Sequence, residues 1–296
     1  MCICTMFSRI KRNITRYTDK KTYTEMARGS KSILAEEKQE EEDMIEKTID
    51  SYGKWQFQMT FLLSLCNITC TWHIFSPTFL SKEKDVWCAR TEQFKDVDPV
   101  IWRNYTQPNG YCSMIDIDAL NVNSLDEISS LQNYTLKTCT NWEFSNEGET
   151  VISEFLLVCD RKYLNNLAEV TFLAGVALGG LICGVFSDKY GRKRTLMASI
   201  LIQTLLGVTI AVIPGFIMYM ILRTFLGFIS VSVVFSGFVL CIELVGGMWR
   251  TISGTSFFFP VSFGYVSIAG IAYFLNDWRN LQLAISLPGL LLLSYW

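Results

Sequence analysis

The stretch GVFSDKYGRKRT, residues 184–195, places five formal charges within the eight residues from Asp188 to Thr195, between two long apolar runs. Gly184 leads in, Asp188 sits where the first run ends, and Gly191 suits a tight turn that needs a positive φ. Lys189, Arg192, Lys193 and Arg194 can hold such a turn against anionic lipid headgroups. A simple basic hairpin accounts for those bases. It does not account for Asp188, because a charge at a membrane boundary is costly and ordinarily finds a partner.

A second set of reactive side chains lies upstream. Cys88, Cys112, Cys139 and Cys159 fall in one polar segment, which also carries two glycosylation sequons beginning at Asn104 and Asn133. Four cysteines in an oxidising compartment imply two disulfides, with three connectivities open. A zinc site does not fit their spacing, since the segment has no C-x-x-C pair and the sole histidine, His73, lies in an apolar run. No nucleophile–base–acid set, phosphate-binding loop or dinucleotide glycine pattern is present. The expectation is a protein that is not an enzyme and carries no metal or cofactor.

The elements that must position these residues follow from composition. Half of the 296 residues are hydrophobic and only 18% are charged, against about 25% in an ordinary soluble domain. Six apolar stretches run roughly over 55–80, 164–186, 196–213, 216–242, 252–275 and 281–296. A helix needs ~20 apolar residues to cross a bilayer, and a backbone in hydrocarbon must satisfy its own hydrogen bonds. The expected fold is therefore an all-α membrane protein of six spans. The fifth stretch carries Pro260, and the sixth stops at Trp296 with no polar exit.

Charge patterning orients the chain. Residues 1–54 form a polar tail with eleven bases, and their order reverses that of a secretory signal. Lys and Arg gather in short cytoplasmic segments, which places the tail, the 184–195 turn and Arg250 inside the cell. Residues 81–163 then form a long extracellular loop, where the cysteines can be oxidised and Asn104 and Asn133 glycosylated. The expected domains are the tail at 1–54, a first span at 55–80, the loop at 81–163 and five further spans at 164–296. A net charge of −2 gives no support to nucleic-acid binding.

The 184–195 stretch resembles the signature loop of the major facilitator superfamily. Other segments narrow the resemblance to the organic cation, carnitine and organic anion transporter branch. These are YGKWQ at 52–56, EFLLVCDRKYL at 154–164, Arg223 with Gly227, Glu243 with Arg250, and DWRNLQLAISLPG at 277–289. The resemblance implies twelve spans in two six-helix halves, of which this sequence is similar to the first half only. It implies that Asp188 faces the N-terminus of a second-half helix, whose dipole favours a carboxylate. Arg192 would brace that acid, and Glu243 and Arg250 would extend the cluster into a cytoplasmic gate latch.

Substrate-path candidates are Asn67 in the first span, Phe235 and Phe238 in the fourth, and Phe258 in the fifth. Aromatic walls attract organic cations through their ring faces. Phe238 replaces a tyrosine and Val234 a tryptophan found in many cation-transporting relatives, which admits carnitine-like zwitterions. The expected partners are a small organic cation or zwitterion and the lipid bilayer, at the plasma membrane. The missing C-terminal six-helix half implies a fragment or short isoform that cannot complete transport alone. The alternative is a non-transporting membrane partner of a full-length relative.

Overall fold

The computed structural model describes residues 52–117, Ile128 and residues 134–295. The expected tail lies outside the described residues as far as Ser51. Long helices dominate: α1 (Lys54–Leu80), α4 (Lys162–Tyr190), α5 (Arg192–Val212) and α6 (Phe216–Glu243). Between α1 and α4, the described residues include two short helices, α2 (Pro99–Thr106) and α3 (Val151–Glu154). Beyond α6 come α7 (Gly247–Ser256), α8 (Phe259–Phe274), α9 (Trp278–Ser286) and α10 (Pro288–Leu292).

Five helical stretches among the described residues are long and apolar enough to cross a membrane, α7 and α8 together forming the fifth. That stretch breaks at Phe257–Phe258, just ahead of Pro260, whose ring cannot sit inside a continuous helix without loss of a backbone bond. The sixth apolar stretch forms α9 and α10, interrupted at Leu287 before Pro288.

Polar side chains join an apolar interior that includes Ile210, Leu226, Ile268 and Leu281, while large apolar side chains face outward. On α1, Ser64, Asn67, Thr71, His73 and Ser76 are buried, whereas Trp55, Phe57 and Phe61 are exposed. On α6, Ser230, Ser232 and Ser236 point inward while Ile217 and Phe225 point out. Lipid exerts no hydrophobic drive between helices, so small and polar side chains take the interfaces and supply hydrogen bonds. Trp72 Nε1 donates to Ser267 Oγ at 2.9 Å between α1 and α8, and Ser199 Oγ donates to Ser232 Oγ at 3.0 Å between α5 and α6.

Glycine sets the approach of α4 to α6. A Cβ on Gly179 would stand 2.5 Å from the Phe228 carbonyl oxygen, and Gly175 meets the Thr224 carbonyl more closely still. The contact is reciprocal, because a Cβ on Gly227 of α6 would lie 2.6 Å from the Phe172 carbonyl of α4. Gly180 and Gly184 have open space where a Cβ would stand, so they take no part in this close approach.

The segment between α1 and α4 departs from the all-α expectation, with four short strands among its described residues. β1 (Val86–Cys88) pairs antiparallel with β4 (Trp142–Phe144), and β2 (Ser113–Ile115) with β3 (Leu136–Thr138). Two disulfides, Cys88–Cys139 and Cys112–Cys159, tie these ribbons to each other and to the start of α4. Trp87, Phe94, Trp102, Ile115, Ile117 and Ile128 give the segment its own apolar core.

Candidate functional site

The signature stretch lies on two helices and one residue between them. α4 runs to Tyr190, Gly191 turns the chain at φ +89°, and α5 begins at Arg192. Only glycine takes that φ without strain, which explains its place. Arg192, Lys193 and Arg194 therefore form the first turn of α5 and not a loop. Both ends oppose the helix dipoles: Asp188 sits in the last turn of α4, and three bases open α5. Neighbouring opposite charges offset this cost.

Arg192 supplies the link. Its Nη2 lies 3.3 Å from Asp188 Oδ1, and its Nε lies 2.7 Å from Glu243 Oε1 at the end of α6, an ion pair without a hydrogen bond. One guanidinium thus joins the ends of α4, α5 and α6. The Asp188 side chain remains 71% exposed, so its carboxylate is open to a further partner. Arg194 is exposed, and Lys193 is exposed but not without contacts. Arg250 is exposed on α7 and makes no ion pair among the described residues, so the structure does not bring it into the cluster.

Arg223 lies elsewhere. Twenty residues separate it from Glu243 on α6, about 30 Å along the helix. It is 1% exposed, donates from Nη2 to Ser76 Oγ at 2.9 Å and to the His73 carbonyl at 3.4 Å, and stands over the Phe172 and Tyr219 rings. Its grouping with the signature motif in the sequence does not extend to space.

Among the path candidates, Asn67 is buried and donates from Nδ2 to the Phe257 carbonyl at 2.6 Å. It thereby satisfies a backbone group at the α7–α8 break and acts as a strut between helices. Phe238 and Phe258 meet at the same break, with ring centroids 5.4 Å apart, and Phe257 packs against both. Phe235, three residues before Phe238, is exposed and makes no ring contact among the described residues.

In the strand-bearing segment, Asn104 is exposed near the end of α2, whereas Asn133 lies outside the described residues. Glu143 on β4 accepts from Trp87 Nε1 and Arg90 Nε, both at 2.9 Å, and from the Arg90 amide at 3.2 Å. Burial pushes this carboxyl up, but the Trp87 indole and the Arg90 amide and guanidinium outweigh it and hold the group below its ordinary value. Lys84 donates to the Gly148 carbonyl, and burial lowers its ammonium from the usual range.

A contact that the sequence reading did not assign joins this segment to the helices. Glu154 accepts from Trp278 Nε1 at 2.7 Å and from Arg279 Nε at 3.1 Å, and pairs with Arg279 Nη2. Arg279 also donates to the Ala211 and Ile213 carbonyls at 2.6 and 3.0 Å, capping orphan acceptors at the end of α5. The segments holding both residues stood out in the sequence, yet 125 positions separate the pair and nothing local joins them.

Comparison with known proteins follows the same lines. The model of the "Sugar (and other) transporter" family matches residues 132–296. An organic cation transporter protein of Drosophila melanogaster is 34% identical over 253 residues, covering 84% of this chain and 46% of the relative. Human solute carrier family 22 member 13 is 31% identical over 261 residues, covering 84% and 47%. The chain thus spans about half the length of these curated relatives. A major facilitator superfamily proton:xylose symporter superposes with a TM-score of 0.50 at 16% identity, covering 83% of this chain and 45% of that one, which speaks to fold alone. The family model, which matches more than half of the chain, shows that the chain belongs to the sugar (and other) transporter family.

Proposed function

We propose that this chain forms the first six-helix half of an alternating-access transporter for small organic cations or carnitine-like zwitterions at the plasma membrane. The Gly191 turn and the tail face the cytoplasm, and the disulfide-bonded segment faces outward. A second six-helix half, on the same or another chain, completes the path and offers a helix N-terminus to Asp188. The observation that carries this reading is the Arg192 bridge from Asp188 to Glu243, which joins three helix ends beside an open carboxylate.

Energetics suit a gate. Partly exposed ion pairs contribute about 0–1 kcal/mol, too little to hold the bundle together. A contact of that size sets position and still breaks on each cycle. Phe238 and Phe258 form the aromatic wall of the path, where a cation gains about 0.5–2 kcal/mol per ring face.

Uptake of labelled tetraethylammonium and carnitine tests the reading in cells that express this chain with or without the second half of the Drosophila relative. Accumulation is expected only with both halves present. If both halves reach the surface together and neither compound accumulates, the chain is a non-transporting membrane partner and the proposal fails.

A further inference from the structure

The end of the bundle remote from Gly191 holds a polar site that the latch and the aromatic wall do not use. Thr78 of α1 and Ser81 just past its end, Asn165 and Glu169 of α4, and Tyr219 and Arg223 of α6 line a cavity of about 250 Å³. Pockets for drug-sized ligands run to about 300–1,000 Å³, so this smaller one has room only for a molecule of a few heavy atoms.

Two opposite charges share the cavity without meeting. Arg223 is almost wholly buried, and its Nη1 has no hydrogen-bond partner. Ser76, a backbone carbonyl and two ring faces hold the rest of the guanidinium, and no carboxylate pairs with it among the described residues. Glu169, eight residues into α4, is exposed and makes neither hydrogen bond nor ion pair among the described residues. A buried guanidinium without a counter-charge is costly, whereas Glu169 is exposed and open to a partner. A simple cation would satisfy Glu169 and leave Arg223 unpaired, and a simple anion would do the reverse. A molecule bearing both charges satisfies both.

We infer that this cavity takes a small zwitterion, with its carboxylate on Arg223 Nη1 and its cationic group beside Glu169. The inference rests on the organic-ion transporter reading and narrows it, because such a site selects zwitterions over simple cations.

Calorimetric titration of the chain in nanodiscs with glycine betaine, tetramethylammonium and acetate tests it. Betaine is expected to bind roughly tenfold or more tightly than either single-charge probe, the difference made by one charge-assisted contact. Glu169→Gln, an isosteric change at an exposed position, should weaken betaine by roughly tenfold and leave acetate unchanged. Unaltered helical circular dichroism would show that the variant folds. Equal affinity for tetramethylammonium and betaine, or a Glu169→Gln variant that binds betaine as before, would overturn the site while leaving the organic-ion reading intact. Failure of all three probes also overturns the site; the transporter reading falls only if the uptake assay fails too.

Discussion

At Glu143, burial and hydrogen bonding pull in opposite directions, and hydrogen bonding wins. Because the folded-state carboxyl titrates below its ordinary value of 4.5, its contribution is fully present above that pH and is lost as pH falls through the lower, folded value. The strand-bearing segment should therefore hold its stability from neutral pH down to about 5 and weaken only in stronger acid. Glu143→Gln should remove that acid limb, as read by the intrinsic fluorescence of Trp87 and Trp102 on thermal unfolding at a series of pH values. An unchanged acid limb in the variant would refute the assignment.

Among the helices, the glycine rows of α4 make the sharpest distinction. In the sequence, Gly175, Gly179, Gly180 and Gly184 make one strip of small residues for the close approach of a neighbouring helix. The structure narrows that strip to Gly175 and Gly179, against Thr224 and Phe228. Gly179→Ala should cost about 1–3 kcal/mol through overpacking, and Gly180→Ala almost nothing, measured by thermal unfolding in detergent. Equal costs would contradict the helix pairing. The Gly191 turn was readable for a similar reason: only glycine takes that φ cheaply. The start of α5 at Arg192 was not, because three bases at a helix N-terminus oppose the dipole and read more naturally as loop. The α7–α8 break was signalled by Pro260, while the Asn67 contact that stabilises it spans 190 residues and leaves no local trace.

Across the whole molecule, sequence and structure agree on apolar helices flanking a disulfide-bonded segment. What the sequence could not supply is how that segment is fixed. Glu154 and Arg279 fasten it to the ends of α5 and α9, with Phe155 packed among Phe216, Tyr219 and Trp278. Glu154→Gln should cost roughly 1.5–3 kcal/mol, the range for a charge-assisted hydrogen bond. Faster amide exchange should be confined to residues 149–158 and the start of α9. Global unfolding or no change would each argue against a local rivet.

In the proposed function, Asp188 and Arg192 gate an organic-ion path and do not bind its substrate. The direct measurement compares tetraethylammonium uptake and equilibrium binding by the wild type and Asp188→Asn, each assembled with the second half of the Drosophila relative. Uptake up to about fivefold slower with binding unchanged is expected, as when a partly exposed contact of about 0–1 kcal/mol is lost. Unchanged uptake, or a loss of binding that matches the loss of uptake, would contradict it.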